Sequence, residues 1–79
     1  MGYHKIEIKK GKLGEFSKIE EEFNELKDAL SQNCKILTLC ELSDLIGSIE
    51  EYLKQFNLNI DDIKQFSDMT KSAFIEGKR

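Results

Sequence analysis

Three stretches of the chain repeat their apolar residues with a helical rhythm, and the residues before them do not. Phe16, Ile19, Phe23, Leu26 and Leu30 recur at spacings of three and four, which is one face of an amphipathic helix. They predict a helix over residues 15–30, with Ser31-Gln32-Asn33 as the connection. A second helix is expected over residues 35–55, but its apolar residues do not keep to one stripe. Ile36, Leu37, Leu39, Cys40, Leu42, Leu45, Ile46, Ile49, Tyr52, Leu53 and Phe56 cover so wide an arc that the helix has to be shielded on several sides. Gly47 sits inside it at about 1 kcal/mol of helix propensity relative to alanine, a cost that close approach of another helix would explain. Asn57-Leu58-Asn59 reads as a turn in which Asn59 caps a third helix, with Asp61 and Asp62 in its first turn. That helix is expected over residues 60–76, burying Ile60, Ile63, Phe66, Met69, Ala73 and Phe74, with Gly77 as its stop.

Residues 1–14 read differently. His4, Ile6 and Ile8 alternate with polar neighbours, and Gly11 and Gly14 punctuate a turn, so a short strand or extended arm is expected there. Lys9, Lys10 and Lys12 read as a solvated basic cluster, and His4 as a surface or packing residue. The fold expected is all-α. A three-helix chain (residues 15–79) behind an N-terminal arm (1–14) assembles into an oligomeric helical bundle.

Composition narrows this picture without changing it. Seventy-nine residues make one small domain whose own core is thin, so oligomerisation is the expected source of further burial. Cys34 and Cys40, the two cysteines, provide no disulfide framework and read as buried thiols in a reducing compartment. A net charge of -3 with 34% charged residues lacks the basic excess that nucleic-acid binding calls for. No apolar run reaches membrane-spanning length and none resembles a signal-peptide core. A cytoplasmic location follows as the expectation.

Charge placement suggests chemistry. Glu22 and Glu25 are three residues apart, as are Glu41 and Asp44 after a fifteen-residue spacer, and residues at i and i+3 share a helix face. At roughly 100° per residue, both pairs lie at the border of an apolar arc, whereas Glu21 lies almost opposite the first stripe and is expected to face water. Only Lys18, Lys27 and Lys35 supply local positive charge between Glu15 and Glu51. Several carboxylates near a bundle interior require cations, protons or water. Oxygen donors alone, without Cys or His, favour Mg²⁺, with Mn²⁺ as the alternative, over zinc. A cation held so is commonly completed by substrate phosphates, which makes attack of water on a phosphate chain the reaction class.

Glu21-Glu22-Phe23-Asn24-Glu25 followed by Glu41-Leu42-Ser43-Asp44 resembles the signature of the MazG-like all-α nucleotide pyrophosphohydrolases: Glu-Glu-x-x-Glu, a spacer, then Glu-x-x-Asp. Residues 16 to 77 share the resemblance, and residues 70–79 look like the tail of the short versions carried by phages. It implies Mg²⁺-dependent hydrolysis of a nucleoside triphosphate to monophosphate and pyrophosphate by a homo-dimer or homo-tetramer. Glu22, Glu25, Glu41 and Asp44 would hold the metal, and Glu21, which matches the motif, would act behind them or activate water. Lys71, Lys78 and Arg79 are candidates for phosphate contacts, and Tyr52 and Phe56 for stacking on a base or packing in the core. The same residues would also suit a protein that binds metal and nucleotide without turnover, or a structural module for helical oligomerisation.

Overall fold

A computed structural model describes residues 4–77. Among them are three α-helices, α1 (Phe16–Ser31), α2 (Lys35–Leu53) and α3 (Ile60–Ile75), and no strand. The period-two alternation before Gly11 therefore does not become a strand. Residues 4–14 instead run without regular structure along α1.

Each helix ends where its local chemistry ends it. Gly14, at φ +95°, turns the chain into α1, and Asn33, at φ +54°, closes that helix in the left-handed region that asparagine tolerates. With only three residues between them, α1 and α2 fold back as an antiparallel hairpin. α2 tightens into a 3₁₀ turn over Lys54–Phe56 and is stopped by Asn57 at φ +58°. Asn59 then caps α3 as expected. Its Oδ1 accepts from the Asp62 amide at 3.1 Å, and its own amide donates to Asp62 Oδ2 at 2.9 Å, the reciprocal capping box. Gly77, at φ +77°, donates to the Phe74 carbonyl and ends α3.

The hairpin is packed on its polar side. Ala29 and Leu53 are the buried hydrophobic residues, whereas Glu21, Glu22, Asp28, Glu41 and Ser48 are all buried. At about 100° per residue, Glu21, Glu25 and Asp28 lie roughly 140° to 180° from the centre of the apolar stripe, so Glu25 sits farther from the stripe than the border position expected of it. Phe16, Phe23 and Leu30 are accordingly half exposed, so the hairpin does not itself cover this stripe. Along α2, Ile36, Leu39, Leu42 and Ile46 are exposed as well. Nothing among the described residues lies within 4 Å of a Cβ built on Gly47, so no close approach between them accounts for that glycine. Both cysteines are exposed, not buried: Cys34 precedes α2 as its N-cap, and Cys40 lies about 100° round the helix from the buried Glu41.

α3 touches α2 alone among the described helices. Its expected buried stripe is only half shielded: Ile60, Ile63 and Ala73 are partly covered, while Phe66, Met69 and Phe74 are exposed. Tyr52 does pack, edge-on against Phe16 and Phe56 with centroids 6.1 Å and 5.6 Å away. No helix among the described residues is long and apolar enough to cross a membrane.

With so few contacts of its own, α3 depends on its cap. Asn59→Ala is expected to weaken it by about 1 kcal/mol. Hydrogen exchange should then quicken for the amides of α3 and stay unchanged for those of α1 and α2.

Candidate functional site

The antiparallel hairpin sets Glu22 and Glu25 of α1 opposite Glu41 and Asp44 of α2. One carboxyl oxygen from each of these residues lies within 4.8 Å of those from the other three. Glu22 and Glu41 are buried, Glu25 is half-buried and Asp44 is exposed, so the cluster is closed from below and open at Asp44. Beside that opening runs a groove of about 570 Å³, lined in part by Leu13, Lys18, Glu22, Asp44 and Ser48.

Two oxygens in this cluster, Glu22 Oε1 and Glu41 Oε1, are buried without a hydrogen-bond partner. A buried acceptor left unpaired costs about 1–3 kcal/mol, and more when charged. Lys18 offsets part of the charge: its Nζ lies 2.9 Å from Glu22 Oε2 and 3.1 Å from Glu21 Oε1. Those contacts, Glu22 first, hold the Lys18 ammonium above its ordinary pKa. All four candidate ligands offer oxygen, and two of those oxygens lack partners. That donor set fits a hard divalent cation.

Glu21 is not at the surface. It is 3% exposed, and its carboxylate accepts from the Gly11 amide at 2.9 Å and pairs with Lys10 and Lys18. Burial works to raise its pKa, but the Gly11 amide and the Lys18 ammonium outweigh it and hold the group at about 2. The helix-angle reading failed here because the chain before α1 covers the polar side of that helix. Gly11 is where the cover comes closest, since a Cβ there would overlap the backbone of Ser17 and Lys18.

Glu25 stands at the centre of the polar arc and shows the opposite shift. Desolvation, a hydrogen bond to Glu21 and the nearby Glu22 and Glu41 push it up to about 7. The protonated Glu25 carboxyl donates, and the ionised Glu21 accepts.

His4 and Asp28 join the cluster with no counterpart in the acidic motifs. His4 Nδ1 is 2.8 Å from Asp28 Oδ2, and Nε2 is 3.1 Å from Glu41 Oε2 and 3.4 Å from Glu25 Oε1. Asp28 also accepts from the Lys5 amide and from Gln32, and the His4 contact leads in holding its pKa below the ordinary value. Burial opposes protonation of His4, but Asp28, Glu41 and Glu25 together raise its pKa. Asp28 was legible in the sequence as the residue one helical turn beyond Glu25. His4 carries no local signal, because its partners lie 24 and 37 residues away.

The cationic candidates fall elsewhere. Lys71 pairs with Asp68 at 3.2 Å on α3, a helix that does not touch α1 among the described residues. Lys78 and Arg79 lie outside the described residues. The chain matches no family model, no curated protein and no solved structure.

The shifts fix a pH response for the metal-free chain. Glu25 keeps its proton when folded from its ordinary 4.5 up to about 7, so the folded state binds more protons across that window and loses stability as pH rises through it. His4, raised above 6.5, adds stability below that value which is lost as pH climbs through its folded pKa, in the same direction. Glu21 acts oppositely, contributing stability above 4.5 that is lost as pH falls towards 2. In metal-free buffer the Tm should therefore fall from pH 4.5 to about 7, and Glu25→Gln should flatten the fall. Asp44→Ala and Glu22→Ala, which thin a repelling cluster, should leave the apo Tm unchanged or higher. Thermal melts followed by circular dichroism check both.

Proposed function

We propose that the chain is a Mg²⁺-dependent nucleotide pyrophosphohydrolase that works as a homo-oligomer and releases pyrophosphate from a (deoxy)nucleoside triphosphate. The observation that carries the proposal is the meeting of Glu22, Glu25, Glu41 and Asp44 within 4.8 Å, with two of their buried oxygens unpartnered. The resemblance of those residues to the MazG-like double motif gives the reaction class. A groove of about 570 Å³ beside Asp44 falls within the range of small-molecule sites and supports a nucleotide-sized substrate.

In this reading Glu22, Glu25, Glu41 and Asp44 hold Mg²⁺, or Mn²⁺ in its place. The bound cation would polarise a phosphate oxygen and supply a reactive water. Glu21 is a positioning residue: its carboxylate fixes the Gly11 amide and the Lys18 ammonium. Lys18, at the rim of the groove, meets the triphosphate; Lys71, Lys78 and Arg79 remain candidates for phosphate contacts.

Self-association draws its support from the exposed apolar faces. Ile36, Leu39, Leu42 and Ile46 of α2 and Phe16, Phe23 and Leu30 of α1 would be covered by a dimer or tetramer of hairpins. A double substitution, Leu42→Glu with Ile46→Glu, is expected to shift the protein to monomer in analytical ultracentrifugation.

Chromatographic assay of pyrophosphate release over the common NTPs and dNTPs with Mg²⁺ tests the activity. Glu41→Gln and Asp44→Asn are each expected to lower it by about 100-fold or more, as loss of metal-holding groups does. Absence of pyrophosphate from every nucleotide would end the hydrolase reading. Tight Mg²⁺-dependent nucleotide binding without product would replace it with a sequestering protein. No binding of either would leave a structural module.

A further inference from the structure

His4 stands in this cluster as metal-ligating histidines stand. Such a histidine turns one ring nitrogen to the metal and donates from the other to a carboxylate, which sets its tautomer and orientation. Here Nδ1 lies 2.8 Å from Asp28 Oδ2, and Asp28 is itself held by the Lys5 amide at 3.0 Å and by Gln32. Nε2 points the other way, between Glu41 Oε2 and Glu25 Oε1. One donor atom from each of His4, Glu25 and Glu41 lies within 4.8 Å of the others. Glu41, 2% exposed, keeps its second oxygen buried and without a hydrogen-bond partner. That oxygen is an observation independent of the histidine, and a cation held by Glu41 would give it the partner it lacks.

We propose that His4, oriented by Asp28, joins Glu25 and Glu41 as the nitrogen ligand of a site for a first-row transition ion, distinct in selectivity from the four-carboxylate site. An imidazole among oxygen donors favours Zn²⁺, Co²⁺ or Ni²⁺ over Mg²⁺, which binds oxygen and keeps its water. On binding, the Nε2 position gives up any proton it holds to water and turns its lone pair to the cation, while Nδ1–H stays on Asp28. Glu25 and Glu41 belong to both donor sets, so they can bridge two cations, and the segment before α1 becomes part of the site. The proposal does not need nucleotide turnover. It shares with the pyrophosphohydrolase reading only the premise that Glu25 and Glu41 accept a cation.

The chain has a single histidine, so its ring nitrogens give unambiguous ¹⁵N resonances. Zn²⁺, which is diamagnetic, is titrated into the full-length protein while both resonances are followed. Nε2 is expected to move to a metal-bound shift, with Nδ1 remaining protonated. By calorimetry, His4→Gln should weaken Co²⁺ binding by more than about 100-fold, beyond the roughly 10- to 100-fold seen when only a group that orients a ligand is lost, and change Mg²⁺ affinity by less than about threefold. Asp28→Asn should weaken Co²⁺ in the same direction by a smaller factor. Ring nitrogens that do not shift at saturating Zn²⁺, or a His4→Gln variant that binds Co²⁺ as the wild type does, would overturn the proposal. Mg²⁺ that fails to bind the wild type would instead overturn the four-carboxylate reading, and the Zn²⁺ titration would still decide His4 by itself.

Discussion

Between α1 and α2 this chain buries carboxyl groups where a small helical hairpin would ordinarily bury leucines. Glu22 and Glu41 lose their water against one another, with Glu25 beside them and Glu21 and Asp28 on the flank. Desolvated like charges repel strongly, and the chain meets that repulsion with three separate devices. Lys18 reaches up its own helix to Glu21 and Glu22. Glu25 keeps a proton until about pH 7 and shares it with Glu21. The segment before α1 brings the Gly11 amide to Glu21, and His4 with the Lys5 amide to Asp28. Even so, an oxygen of Glu22 and one of Glu41 remain unpartnered.

From that arrangement follows the inverted character of the hairpin. A helix has only one face to give its neighbour, and α1 gives α2 its carboxylates. Phe16, Phe23 and Leu30 are thereby turned away from the hairpin interior, and Leu39, Leu42 and Ile46 on α2 likewise. Ala29 and Leu53 are the buried hydrophobic residues among those described, so the apolar core that the hairpin closes by itself is thin for a small domain. Hairpins that meet through their apolar faces would enlarge it. The proposed assembly and the proposed site thus use opposite sides of the same two helices, so substitutions at the outer faces and at the inner carboxylates can be read separately.

Much of this was legible in the sequence where the signal was local. Helix positions followed from the three-and-four spacing of apolar residues, the Asn59 cap from its sequence setting, and the approach of Glu22, Glu25, Glu41 and Asp44 from two i, i+3 pairs joined by a short connection. What failed was the direction in which faces point. Amphipathicity says that an apolar stripe is shielded, but not whether by the same chain. Glu21, on the far side of the stripe through Phe23, was therefore read as exposed, whereas the segment before α1 covers it. His4 illustrates a different limit: a contact across 24 residues leaves no periodicity, and the alternation around Ile6 and Ile8 that suggested a strand was weaker than the pull of Glu21 and Asp28 on the backbone amides of Gly11 and Lys5.

Cation binding and folding are then one equilibrium in the proposed site. The four carboxyl groups converge only when α1 and α2 are closed on each other; in the unfolded chain, Glu25 and Glu41 are sixteen residues apart along the sequence. A cation that binds the closed hairpin and not the open chain stabilises it by RT ln(1 + [L]/Kd), about 2.7 kcal/mol at a hundred times Kd. In a chain with so few buried hydrophobic residues, that is a large share of the stability a small domain has. Because closing the hairpin also lays out its apolar faces, a partner copy that covers them favours the same closed state. In the proposed site and assembly, a metal and a partner copy, acting from opposite sides of α1 and α2, would strengthen each other's binding, with equal coupling in both directions.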